Sequence, residues 1–256
     1  MRNSFEHITL KASVLSLSLL FLAYPAQSQE SSASLIEEII VTSQRTEESL
    51  QDVPIAVTAL TSSMLEDMQI EGGSDLQLVT PSLSFQGSDA TGGAFNIRGI
   101  TNLAVSPTAE SGVEIHVNDM PVGATTMQDG DFLDMERIEV LRGPQGTLFG
   151  KNSVGGVINL ITAKPQFGEA FGSAGIDVGS YDLLKTKLML NIPLGESLAM
   201  RIAASSNDRD GDIKNIYSKA KTSHVNNRDS DAYRLSIAWN ATDRTDVLFV
   251  HENYSE

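Results

Sequence analysis

The sequence predicts an α+β domain followed by antiparallel strands of a transmembrane β-barrel, about five of them, so an incomplete wall. Three observations carry that prediction. The N-terminus reads as an export leader, the middle mixes helix and strand signals among many glycines, and from Phe167 onward apolar residues recur at every second position.

Residues 1–28 are the leader. Arg2 and Lys11 supply positive charge, Ala12 to Ala23 is largely apolar, and Ala26-Gln27-Ser28 offers small residues for cleavage. That apolar stretch is far shorter than the roughly 20 residues a spanning helix needs. Residues 29–52 form a polar tether interrupted by Glu38-Ile39-Ile40-Val41-Thr42-Ser43, a short β-prone run between solvated stretches. Such a run is either the first strand of the next domain or a strand kept free for a partner's sheet edge.

Residues 53–165 form the α+β domain. Val53 to Leu60 reads as a strand, and Ser63-Met64-Leu65-Glu66 and Ser74-Asp75-Leu76-Gln77 match the helix capping box. Val113 to Val117 and Pro121-Val122 flank Asn118-Asp119, a hairpin turn. Ile138 to Leu141 and Val157 to Thr162 read as buried strands, with Gly143, Gly146, Gly150, Gly155 and Gly156 between them.

Residues 166–256 alternate. Leu184, Thr186, Leu188, Leu190 and Ile192 share one face and Lys185, Lys187 and Asn191 the other. Leu198, Met200, Ile202 and Ala204 oppose Ala199, Arg201, Ala203 and Ser205, while Tyr233, Leu235, Ile237 and Trp239 oppose Arg234, Ser236 and Asn240. A soluble sandwich buries its apolar face on a second sheet, whereas a membrane barrel turns it to lipid and keeps a polar lumen. Short connections at Leu194–Ser197 and Ala241–Thr245, against a long polar segment from Asn207 to Asp231, favour the barrel. The competing reading is a soluble periplasmic ligand-binding module with a small β-sandwich.

The chemistry is equally selective. The chain has 256 residues, a formal net charge of −15 and no cysteine, which excludes disulfides and thiolate metal sites. The charge argues against nucleic acid, whose phosphates require clustered Lys and Arg. Gly146 to Lys151 fails the phosphate-loop spacing, because Gln145 stands where Gly is needed and Asn152 where Ser or Thr is needed. Asp208, Asp210 and Asp212 fail as a calcium loop because Ile213 takes the glycine position. His116, His224 and His251 lack metal-ligand spacing, and no catalytic constellation stands out. The reading is a non-enzyme with no cofactor and no metal.

Ile138-Glu139-Val140-Leu141-Arg142-Gly143-Pro144-Gln145-Gly146-Thr147-Leu148-Phe149-Gly150-Lys151-Asn152-Ser153-Val154-Gly155-Gly156-Val157-Ile158-Asn159 resembles the plug signature of TonB-dependent outer-membrane receptors. Pro54-Ile55-Ala56-Val57-Thr58, Thr80-Pro81-Ser82-Leu83 and Ile97-Arg98-Gly99-Ile100 resemble further plug segments in the same order. The resemblance implies a plug inside a large barrel of roughly 22 strands. It also implies active transport of a scarce ligand, such as an iron–siderophore complex, across the bacterial outer membrane. Glu38, Ile39, Ile40, Val41, Thr42 and Ser43 are similar to the TonB box, the segment engaged by TonB and its inner-membrane energising complex. By the same resemblance Arg98 and Arg142 pair with carboxylates of the barrel wall, which membrane lipid surrounds. The alternatives are arginines satisfied within the plug and, for Arg98, contact with ligand. Ala124, Thr125, Thr126, Met127 and Phe132 belong to a plug loop expected to face ligand.

Overall fold

The computed structural model describes residues 39–43, 45–46, 48–87, 93–101, 111–122, 131–217 and 224–255. The leader, most of the tether, Glu38 and residues 124–127 therefore lie outside the described residues. Two short strands open the chain, β1 (Ile40–Val41) and β2 (Glu48–Ser49), paired antiparallel. Strand β3 (Ala56–Thr61) leads into helix α1 (Ser62–Asp67). Its cap is Thr61 rather than the expected Ser63, because Thr61 leaves the strand still extended and its hydroxyl accepts the Met64 amide at 3.4 Å. A 3₁₀ turn (Gly73–Asp75) runs into α2 (Leu76–Val79). Here Asp75, not Ser74, organises the start: one carboxylate oxygen accepts the Glu71 and Gly72 amides, each at 3.0 Å.

Strands β4 (Leu83–Gln86) and β5 (Ala94–Ile97) form a hairpin. β6 (Val113–Val117) and β7 (Met120–Pro121) flank Asn118 and Asp119, whose φ of 49° and 66° give the primed turn that the right-handed strand twist requires. β8 (Met135–Arg142), α3 (Gly146–Phe149) and β9 (Gly156–Thr162) complete the domain. Its central sheet has the order β3-β8-β9-β6-β7, antiparallel except for the parallel β6–β9 pair. β9 is buried along its whole length, its apolar run interrupted by Asn159. Gly156 is needed at its start, since a Cβ there would meet the Leu141 carbonyl oxygen at 2.2 Å.

The two faces of this sheet are packed differently. One carries Leu60, Ile138, Val140, Ile158, Leu160, Val113 and Ile115 against the helices and the β4–β5 hairpin, forming the main core. The other carries a smaller cluster of Leu141, Val157 and Phe149, and beside it a polar row that matters below.

The alternating region forms a second sheet, β10 (Phe171–Val178), β11 (Leu184–Pro193), β12 (Leu198–Arg209), β15 (Arg228–Thr242) and β16 (Thr245–Ser255). Every neighbour is antiparallel, and the hairpin of β13 (Ile213–Lys214) and β14 (His224–Val225) lies between β12 and β15 in the chain. The strands run on into the polar segment expected to be loop, so β12 and β15 outlast their apolar stretches. Ile176, Leu184, Leu188, Tyr233, Trp239 and Phe249 are exposed on the outer face. Among the described residues no second sheet covers them, as the sandwich reading requires. No helix among the described residues is long and apolar enough to cross a membrane. The sheet is open, the wall unclosed.

Candidate functional site

The β-prone run is not free. Leu50 donates its amide to the Ile39 carbonyl at 2.9 Å, and the register pairs Ile40 with Ser49 and Val41 with Glu48. Antiparallel pairs alternate, so Ile39 and Val41 spend their backbone groups on β2 while Ile40 and Thr42 point to the outer edge. On that edge the Thr42 amide donates to Glu139 Oε1 at 2.8 Å, and the Thr42 carbonyl accepts from the Arg45 amide at 2.8 Å. Val41 and Ser43 are fully buried, whereas Ile40 is exposed. Arg45 fastens the end of the segment, its Nε donating to the Leu148 carbonyl at 2.9 Å and its guanidinium lying 5.0 Å from the Phe149 ring centre. Ile40 keeps an open backbone edge.

Beneath this segment the second sheet face is polar. His116, Asn159 and Glu139 are in register across β6, β9 and β8, with Ala59 of β3 next in line. All three polar side chains are buried. Glu139 Oε1 also accepts the Thr42 hydroxyl at 3.2 Å and Arg137 Nε at 2.8 Å. Arg137 in turn pairs with Glu136 and reaches the Thr42 hydroxyl. Yet Glu139 Oε2, both amide atoms of Asn159, His116 Nε2 and Ser43 Oγ are buried without a hydrogen-bond partner. Glu114 Oε2, similarly unsatisfied, stands 3.5 Å from His116 Nε2. Buried polar atoms are nearly always satisfied, so this concentration is unusual.

The interface between the α+β domain and the second sheet has the opposite character. Glu71 receives Lys185 at 2.8 Å on one oxygen and Lys187 at 2.9 Å on the other. Burial pushes the Glu71 carboxyl up, but these two ammonium groups outweigh it, and the net shift is downward. Asp131 accepts from Asn207 at 3.0 Å and Ser230 at 3.4 Å and pairs with Arg228 at 3.2 Å. Asp134 holds Arg201 through two parallel bonds of 2.7 and 2.6 Å, the strong bidentate form. Arg234 donates to the Leu133 and Asp134 carbonyls at 2.7 and 3.2 Å and to Glu252 at 2.8 Å. Leu133 packs among Ala203, Ala232 and Tyr254. These acids escaped sequence reasoning because they sit in loops without periodicity; cationic partners such as Lys185, Lys187, Arg201 and Arg234 were legible on the inward face of alternating strands.

The other expected site residues fall as follows. Arg98 has φ 54° and its amide donates to the Ser82 carbonyl at 3.0 Å. Its guanidinium abuts Gly143, next to Arg142. Arg142 reaches the Pro81 carbonyl at 3.5 Å, while its Nε is buried without a partner. Phe132 is half-buried against the main core and donates its amide to the Glu71 carbonyl at 2.7 Å, so this residue faces the domain interior. Ala124, Thr125, Thr126 and Met127 lie outside the described residues. Among the described residues no group of three or more His, Asp or Glu side chains is placed to hold a metal ion.

Comparison with known proteins fits this architecture. The TonB-dependent Receptor Plug Domain family model matches residues 49–157. The metal-pseudopaline receptor CntO of Pseudomonas aeruginosa is 28% identical over 152 residues, covering 59% of this chain and 20% of the receptor. The vitamin B12 transporter BtuB of Photobacterium profundum is 26% identical over 207 residues, covering 79% of this chain and 33% of the transporter. In fold, the crystal structure of the ferripyoverdine receptor of the outer membrane of Pseudomonas aeruginosa, bound to ferripyoverdine, superposes with a TM-score of 0.70. Its identity is 20%, over 84% of this chain and 27% of that one. The chain thus spans about a fifth to a third of the length of these relatives, which are receptors and transporters rather than enzymes. Residues 49–157 match the plug domain of TonB-dependent receptors, and the whole described chain shares the fold of a receptor's plug and first wall strands.

Proposed function

We propose that this chain is the coupling segment, plug and part of the wall of a receptor that actively imports a scarce ligand, an iron–siderophore complex being the first choice. Residues 29–52 serve as the periplasmic tether, 53–165 as the plug and 166–256 as wall. The observation that carries the reading is the strand Ile40–Val41 placed ahead of the plug with its outer edge open at Ile40. TonB, energised from the inner membrane, would add a strand at that edge and draw residues 38–43 away. Relatives whose names specify metal-pseudopaline and ferripyoverdine support the ligand class, and a vitamin B12 transporter among them marks cobalamin as its competitor. Arg98 and Arg142, converging beside Gly143, are proposed to pair with wall carboxylates, a role suited to the unpartnered Nε of Arg142. Ala124 to Met127 are proposed as the ligand-facing part of their loop.

The test is Ile40→Pro. Ile40 points its amide away from β2, so proline removes a donor the partner needs and leaves the hairpin bonds in place. Cells carrying the variant should bind radiolabelled ferric siderophores from a panel as the wild type does and import none. Unchanged import would refute the coupling assignment. Import of cobalamin but of no ferric siderophore would refute the ligand class.

A further inference from the structure

We infer that Glu139 is the residue that positions the coupling segment, and that residues 39–43 with Arg45 and Thr46 are a lid over the Glu139 end of the polar row on the plug sheet. The inference rests on the reading of residues 38–43 as the TonB-engaged segment, and adds what holds that segment and what its departure uncovers.

Three features support it. Glu139 Oε1 collects three donors, and two of them, the Thr42 amide and hydroxyl, belong to the lid. The Thr42 amide lies on the outer edge beside Ile40, so a partner strand and Glu139 compete for the same donor. Next, the row is unsatisfied only while covered. The orphaned atoms of Glu139 and Asn159 have no protein partner, and water would supply one as soon as the lid lifts. This offsets part of the loss of the Thr42 bonds and of the Val41 burial. Finally, Glu139 is in register with Ala59 and Asn159 on the neighbouring strands, so uncovering it brings water to that part of the face. The opposite face, packed with Ile138, Val140 and Ile158, has no such groups and stays dry. Lifting the lid wets the polar part of one face of the plug sheet without dismantling its core.

The chain has no cysteine, so single introduced thiols report cleanly. Ser43→Cys reports on the lid, Ala59→Cys on the row, and Val140→Cys on the opposite face; all three positions are buried. Each is labelled with a small water-soluble maleimide in outer membranes of the producing cell, with no energising partner added. Glu139→Gln should speed labelling at Ser43→Cys on the order of fivefold, the effect of weakening one charge-assisted hydrogen bond. Glu139→Asp should return it part of the way, and Val140→Cys should not change. Deleting residues 39–46 should open Ala59→Cys while Val140→Cys stays protected. Three results would overturn the proposal: a Ser43→Cys rate indifferent to Glu139→Gln, an Ala59→Cys still protected after the deletion, or a Val140→Cys that opens with it. None of these readouts involves transport, so failure of the Ile40→Pro test would leave them standing and strike only the coupling assignment.

Discussion

The plug meets its surroundings through two polar surfaces, and they are built in opposite ways. Against the wall, Glu71, Asp131 and Asp134 each find cationic partners on β11, β12 or β15, and Arg234 ties the intervening backbone to the same sheet. Under residues 39–43, Glu139 is half satisfied and Asn159 not at all. Paired buried charges are costly to separate, because the survivor is left desolvated. Unpaired buried polar atoms make separation easier, because water improves them. The difference separates an anchor from a lid on one small domain.

The largest expected effect comes from breaking the anchor. Asp134→Ala strands Arg201, whose side chain is almost fully buried, and should lower plug stability by roughly 3–5 kcal/mol. Urea titration of Val140→Cys protection in outer membranes would read this as an earlier midpoint; an unmoved midpoint would mean the seam does not hold the plug. Glu139→Gln should have a smaller effect, about 1 kcal/mol, confined to the lid. Asn159→Leu tests the other side of the comparison. It replaces two unsatisfied polar atoms by apolar ones of similar size, so docking of the lid should be unchanged or tighter. Clear loosening of Ser43→Cys by Asn159→Leu would show that Asn159 is satisfied in the membrane.

The smallest effects lie at the exposed end of the seam. Lys187→Met should change plug stability by about 0–1 kcal/mol, since its ammonium is half exposed and Lys185 retains Glu71. Glu71 gives the seam a pH dependence of known sign. Its folded carboxyl titrates below the ordinary value of 4.5, so its contribution is fully present above that value and disappears as pH falls through the lowered one. Plug stability should fall on acidification below about pH 4.5, and Glu71→Gln should flatten that part of the profile.

Much of this was legible in the chain before folding. The alternation of Leu184 to Ile192 and of Tyr233 to Trp239 gives both the strands and their facing, because a period of two admits only one assignment once one face must be apolar. The hairpin at Asn118-Asp119 follows from two residues that tolerate positive φ. The helix caps were misassigned by one or two residues, since Ser, Thr and Asp compete locally and tertiary context chooses among them. The docked state of Ile40–Val41 was hidden for a different reason. Its partner Glu139 lies 97 residues away from Thr42, and a lone glutamate inside a β-strand carries no sign of what it will bind. The seam acids were concealed likewise: Asp131 and Asp134 acquire meaning only when the strand cations fold over them.

Hydrogen exchange on the unmodified receptor in its outer membrane tests the contrast most directly, because locally opened segments exchange ahead of anchored ones. Residues 39–46 should exchange first, in a partial opening, while 131–142 keep the protection of the intact plug. Equal rates for residues 131–134 and 39–46 would contradict the account, since anchor and lid would then open together.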